Sequence, residues 1–130
     1  TIMYGLGDTH NSYGPNRFIN HLKKKQKIKL FGNGADIRDH LYIDDLIKII
    51  YRSCHKKYLY GEFIVASQQS FTFIDVAKKI LFLKKKPRDL IEFIRVNNKI
   101  SKRFFFKLRI DKILNLQFTK LTNGLKKYIN

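Results

Sequence analysis

The chain has 130 residues, about the size of one domain, and 44% of them are hydrophobic, enough to bury a core and to argue against disorder. Its 27 Lys and Arg against 10 Asp and Glu give a formal net charge of +17. The lone cysteine, Cys54, excludes an internal disulfide framework and fits a reducing cytoplasm, and no apolar run reaches the roughly 20 residues a membrane-crossing helix needs. The lysines are scattered rather than gathered in one block. Their excess therefore reads first as compositional bias, and second as attraction for nucleic acid, acidic membrane or phosphorylated small molecules.

In chain order, Thr1 to Tyr4 predicts a buried strand that runs into the Gly5-Leu6-Gly7 loop. The chain opens inside that strand, at Thr1, so sequence upstream of it is expected. A polar loop follows, punctuated by Gly14 and Pro15. Arg17 to about Lys25 predicts a helix with Phe18, Ile19 and Leu22 on its apolar face, and Lys23, Lys24 and Lys25 suit the negative end of its dipole. Ile28 to Phe31 alternates as a half-buried strand does, and Asn33-Gly34 is a strong turn dipeptide.

His40 to Ile43 predicts another strand. Asp44 or Asp45 is then expected to cap a helix through about His55, with Leu46, Ile49 and Ile50 on one face. Gly61 to Ala66 predicts a strand. Thr72 with Asp75 forms a capping arrangement for a helix to about Leu83, whose buried stripe would be Ile74, Ala77, Ile80 and Leu81. Beyond Lys84-Lys85-Lys86-Pro87 we expect a turn near Asp89, a strand near Phe93 to Val96, a basic segment at Ser101-Lys102-Arg103, a helical turn at Asp111 to Leu114 and an amphipathic helix from Thr122 to Ile129. Short strands and helices without regular βαβ alternation predict an α+β fold.

The sequence contains no Gly-x-x-x-x-Gly-Lys-Ser/Thr loop, no Gly-x-Gly-x-x-Gly and no tyrosine followed four residues later by lysine. His10, His21, His40 and His55 are dispersed, and none pairs with Cys54 or a carboxylate at zinc-site spacing. Cys54 and His55 are neighbours that point to different helix faces, which suits a structural role. Asp44-Asp45 fits a helix start better than an acid–base pair. Arg38 is open to two readings. Its planar, permanently charged fork can grip two phosphate oxygens, or it can form a salt bridge with Asp36 or Asp39.

Several blocks in this order resemble the extended short-chain dehydrogenase/reductases, the NAD-dependent epimerase/dehydratase family that acts on nucleotide sugars. Tyr4-Gly5-Leu6-Gly7-Asp8 resembles the family's Tyr-Gly-Pro-Gly-Asp loop, with Leu6 for proline. Pro15-Asn16-Arg17-Phe18-Ile19 resembles the start of the substrate-domain helix. Leu30-Phe31-Gly32-Asn33-Gly34, continuing to Arg38-Asp39-His40-Leu41-Tyr42-Ile43-Asp44-Asp45-Leu46, is the most specific match. Gly61 to Ser67, and Leu116 to Phe118 with Gly124 to Ile129, are similar to later family segments.

The resemblance implies that residues 1–130 are the C-terminal, substrate-binding portion of such an enzyme, with residues 1–7 the last part of a Rossmann-sheet strand and its loop. It implies that Arg38 grips the nucleotide-sugar diphosphate, that Lys29 and Phe31 line the base pocket, and that Arg17 and Phe18 face the diphosphate and sugar. Arg103 is the candidate for a second diphosphate contact, with Arg95 the alternative. NAD and the Tyr-x-x-x-Lys pair of the family would belong to a preceding Rossmann half, so this chain alone is expected to carry no hydride chemistry. The intact enzyme would be a cytoplasmic protein and a homodimer. The family often has asparagine where Ile2 stands, and commonly an acidic residue where Arg109 stands.

A second reading is a small basic nucleic-acid-binding protein, in which Phe104-Phe105-Phe106 between basic residues would stack bases. The order of the motif blocks favours the first reading.

Overall fold

A computed structural model describes residues 1–7, 11–12, 14–57, 59–97, 99–104 and 110–129. The described residues form two small sheets wrapped by helices. In chain order they are β1 (Ile2–Tyr4), α1 (Gly14–Lys23), β2 (Ile28–Phe31), β3 (Ile37–Tyr42), α2 (Ile43–Cys54), β4 (Ser70–Thr72), α3 (Phe73–Leu83), a 3₁₀ turn (Arg88–Leu90), β5 (Ile91–Ile94), α4 (Ile110–Ile113) and α5 (Leu121–Ile129). The mixed α/β architecture agrees with the sequence expectation.

One sheet has the order β1-β3-β4, the other pairs β2 with β5. β1 runs parallel to β3, from Ile2 opposite His40 to Tyr4 opposite Tyr42, and β4 runs antiparallel to β3 with Ile37 opposite Thr72. β2 and β5 are parallel, from Ile28 opposite Ile91 to Phe31 opposite Ile94. The main core lies between the sheets and α1, α3 and α5, and includes Tyr4, Phe18, Ile19, Ile28, Leu30, Ile80, Leu81, Leu121 and Leu125. A smaller cluster around Ile49, Ile110 and Leu114 secures α2 to α4.

Several boundaries shift for identifiable reasons. α1 starts at Gly14 rather than Arg17, because Pro15 has a fixed φ and no N–H, both suited to the first helical turn. It stops before Lys25, whose φ is 57°. β3 begins three residues before the expected His40, since β4 on one side and Ser101 to Arg103 on the other supply partners that no local pattern reveals.

Thr72 caps α3 as expected: its Oγ1 accepts from the Asp75 N–H at 3.1 Å and donates to Asp75 Oδ2 at 2.6 Å. Val76 joins Ala77, Ile80 and Leu81 in the buried stripe, while Ile74 is only partly buried. The expected cap by Asp44 or Asp45 is corrected, because Tyr42 is the N-cap of α2 and makes no side-chain cap bond. Ile50, expected on the buried face, is 55% exposed.

Gly61 to Ala66 does not extend into a ladder strand and has one bridge residue, Ile64. Side-chain packing holds it instead: Phe63 and Val65 lie against the Ile49 cluster, and Asp39 fastens the adjoining Ser67. Among the described residues no helix is long and apolar enough to cross a membrane.

Close packing makes Gly124 in α5 a sensitive position. A Cβ there would collide with the Tyr4 hydroxyl and lie 3.0 Å from its Cζ. Tyr4 is buried, and its hydroxyl donates to the Leu121 carbonyl at 3.4 Å. Gly124→Ala should therefore destabilise the chain by about 1–3 kcal/mol, the usual cost of overpacking, despite alanine's better helix propensity. Chemical denaturation of the two proteins checks the sign, because a gain in stability would mean that the Tyr4 ring moves aside freely.

Candidate functional site

The alternation of β2 sets the site. Ile28 and Leu30 point into the core, so Lys29 and Phe31 must point out, and Phe31 is 56% exposed. Arg17, on α1, reaches across the Phe31 face with its guanidinium carbon 5.2 Å from the ring centroid, and its Nη1 donates to the Ser12 carbonyl at 3.0 Å. Phe18, one residue on, faces the core and meets Phe73 edge-on at 6.2 Å. Phe73 is the first residue of α3, so the Thr72 cap fixes its place.

The turn between β2 and β3 brings Arg38 alongside. Gly32 and Gly34 have φ of 58° and 70°, and a Cβ at Gly34 would sit 3.0 Å from Leu30 Cδ1 and 3.1 Å from Ile74 Cβ. Glycine alone fits both the conformation and the space. Arg38 Nη1 donates to the Ile37 and Ser101 carbonyls at 2.8 Å each, while Nη2 stands 3.6 Å from Asp36 Oδ2. Its guanidinium also lies 6.0 Å from the Phe73 ring centroid. The salt-bridge partner is Asp36 and not Asp39, whose carboxylate is occupied by the Ser67 N–H and hydroxyl, both at 3.0 Å.

Arg103 arrives from the other end of the chain. Lys102 bridges in parallel to Ile37, the Ile37 N–H donates to Ser101 O at 3.0 Å, and the Arg103 N–H donates to Ile37 O at 3.2 Å. These bonds set Arg103 beside Arg38 with its side chain exposed.

Two adjoining clefts result, sharing Phe31 and Phe73 as a common wall. Gly14, Arg17, Phe18, Lys29, Leu30 and Asp36 complete the first. Thr1, Ile2, Ser12, Arg38 and Arg103 complete the second, which has a volume of about 410 Å³, within the usual size of small-molecule sites. All six residues named from the sequence (Arg17, Phe18, Lys29, Phe31, Arg38 and Arg103) line one or both clefts. Arg95, the alternative, lines a separate hollow with Gly32, Asn33, Phe93 and Val96. His10, Phe105, Phe106 and Arg109 lie outside the described residues. The sequence marks Asp36 as a salt-bridge partner of Arg38 and Ser101 as part of a basic segment, but it does not point to Phe73. For Phe73 a signal existed, since the Thr72 cap directly precedes it.

Chemically, the second cleft joins two guanidiniums, one already half-satisfied by carbonyls, to an aromatic wall. Such a lining suits a flat ring attached to a multiply charged anion. No described group of three or more His, Cys, Asp or Glu could hold a metal ion.

Behind this wall, His40 is fully buried, with Phe71 and Phe73 centroids 6.5 and 6.3 Å away, and neither ring nitrogen finds a hydrogen-bond partner. Burial pulls its pKa down to about 4, the Arg38 carbonyl and the Asp39 carboxylate opposing only in part. Between the ordinary value near 6.5 and about 4, the unfolded chain takes up a proton that the folded chain refuses. Stability present above pH 6.5 should thus drain away as pH falls towards 4, by up to about 3 kcal/mol from this residue. Denaturation curves of the wild type and His40→Leu across that range check it: the variant should lose less stability on acidification, and parallel curves would contradict the assignment.

The NAD dependent epimerase/dehydratase family matches residues 2–65. Across 130 aligned positions the chain is 28% identical to the trifunctional UDP-glucose 4,6-dehydratase/UDP-4-keto-6-deoxy-D-glucose 3,5-epimerase/UDP-4-keto-L-rhamnose-reductase of Arabidopsis thaliana, over 91% of this chain and 19% of the relative. It is 30% identical to the dTDP-D-glucose 4,6-dehydratase of Dictyostelium discoideum over 80 residues, 55% of this chain and 18% of the relative.

Among solved structures, the dTDP-glucose 4,6-dehydratase of Bacillus anthracis in complex with NAD superposes with a TM-score of 0.84 at 17% identity, over 98% of this chain and 41% of that one. The UDP-glucuronic acid 4-epimerase of Bacillus cereus, in complex with UDP-glucuronic acid and NAD, gives 0.81 at 19% identity, again over 98% and 41%. The chain thus spans about a fifth of the curated relatives. Residues 2–65 match the NAD dependent epimerase/dehydratase family in sequence, and the fold of those enzymes is shared over 98% of the chain.

Proposed function

We propose that this chain holds the nucleoside-diphosphate end of a nucleotide-sugar substrate, as the C-terminal, substrate-binding portion of an NAD-dependent epimerase or dehydratase. The observation that carries the proposal is the convergence of Arg38 and Arg103, far apart in sequence, on one cleft walled by Phe31 and Phe73. Arg38 grips the diphosphate from β3 and Arg103 closes on it from the strand-like segment opposite. Lys29 and Phe31 flank the base, and Arg17 stacks on Phe31 where the two clefts meet. The family match and relatives named for UDP- and dTDP-sugar chemistry support the reading.

Hydride chemistry lies elsewhere. The sequence has neither the Tyr-x-x-x-Lys pair nor a glycine-rich dinucleotide loop, so NAD would be held by a Rossmann portion and not by these residues. In titration calorimetry, UDP should bind the chain saturably and more weakly as salt rises, while NAD should give no saturable heat. Polyuridylate that bound more tightly than UDP, with a steep salt slope, would favour the nucleic-acid reading instead.

A further inference from the structure

Asp36 is at odds with its surroundings. It lies in the lining of joined clefts that present Arg17, Lys29, Arg38 and Arg103, where a carboxylate repels the anion the other groups attract. Its contacts supply a reason for it to be there. Oδ1 accepts the Ser101 N–H at 2.7 Å, Oδ2 stands 3.6 Å from Arg38 Nη2, and the Asp36 carbonyl accepts the Phe73 N–H at 3.2 Å. One residue therefore touches the arginine of β3, the start of the segment that carries Arg103, and the first residue of α3. Ser101 is held twice more, by the Ile37 N–H and by Arg38 Nη1, but both of those donors bond its carbonyl; Asp36 takes its N–H.

We propose that Asp36 is a positioning residue for the nucleoside-diphosphate site, an inference that rests on the reading above. It clamps the Ser101–Arg103 segment against β3 and steadies Arg38, so that both guanidiniums face one ligand before it arrives. Ordering the arginines beforehand removes that cost from binding. Arg103 needs such help more than Arg38, because its side chain is exposed and, among the described residues, makes no ion pair.

The role and the charge of Asp36 predict opposite signs, which makes the test decisive. Measured with UDP as the probe by calorimetry on the 130-residue chain, Asp36→Ala should weaken binding by roughly tenfold, the scale of one lost charged contact, although deleting a negative charge should by itself tighten it. Asp36→Asn keeps an acceptor for the Ser101 N–H and should bind within about twofold of wild type. Asp36→Glu keeps the charge but misplaces it by one methylene and should also bind more weakly, which keeps the test open if Asp36→Ala does not fold.

Hydrogen exchange at the Arg103 amide, which donates to Ile37 O, should quicken without ligand in Asp36→Ala and stay slow in Asp36→Asn. UDP affinity equal to or above wild type in Asp36→Ala, or weakened binding with unchanged exchange at Arg103, overturns the positioning role alone. A wild-type chain that ignores UDP overturns the diphosphate reading and this inference together.

Discussion

Asp45→Ala should lower the stability of the chain by about 3 kcal/mol, close to a 10 °C drop in Tm for a domain of this size. The residue is 3% exposed, and its carboxylate accepts the Thr119 N–H at 2.6 Å and the Thr119 hydroxyl at 2.9 Å. Lys48 Nζ stands 3.3 Å from the same Oδ1, but from a half-exposed side chain whose contribution is small. The two Thr119 bonds carry the cost. They fasten the first turn of α2 to the segment leading into α5, across 74 positions of sequence, and truncation would leave a backbone N–H without its acceptor. Asp45→Asn should recover part of the loss, because an amide oxygen can still accept from the Thr119 N–H. Thermal melts of the three proteins measure it, and a drop of less than about 1 kcal/mol for Asp45→Ala would show that Thr119 finds water or another acceptor.

The second large effect falls on binding. Arg38→Ala should weaken UDP affinity by about 1.5–3 kcal/mol, or roughly 10- to 150-fold, the range for hydrogen bonds to charged groups. The same change removes two bonds to the carbonyls of Ile37 and Ser101, so Arg38→Lys is the sharper comparison. Lysine keeps the charge but cannot fork between a carbonyl and a phosphate oxygen, and it should recover only a minor part of the affinity. Full recovery would mean that a point charge suffices and that the planar fork is incidental. An unchanged affinity in Arg38→Ala would return Arg38 to a structural salt bridge with Asp36.

Both effects show where the sequence is informative. Periodicity and turn chemistry located β2, the Gly32–Gly34 turn and the Thr72-capped α3, because each is determined by residues close in sequence. The lining of the clefts was legible through the family resemblance, whose motif blocks point to Arg17, Lys29, Phe31 and Arg38; strand alternation explains why Lys29 and Phe31 face outward. What stayed hidden was set by partners far along the chain. Asp45 reads as a cap, since a carboxylate at a helix start usually is one, and only folding brings Thr119 to it. β3 is longer than its pattern because Ser70 to Thr72 and Ser101 to Arg103 flank it. Gly61 to Ala66 has strand composition but forms only a single backbone bridge, at Ile64, and packs Phe63 and Val65 against the Ile49 cluster. Arg103 and Arg95 could not be told apart locally, and the Ile37–Lys102 bridge is what separates them.

The central claim is that one anion site is formed by α1, β2, β3 and the segment near Arg103. Backbone amide chemical shifts followed during a UDP titration test it most directly, because they report place as well as affinity. Shifts should saturate together at Arg17, Phe31, Arg38, Phe73 and Arg103, and the set should collapse in Arg38→Ala. Shifts confined to the hollow beside Gly32, Phe93 and Arg95, or spread over the lysines without saturation, would contradict it.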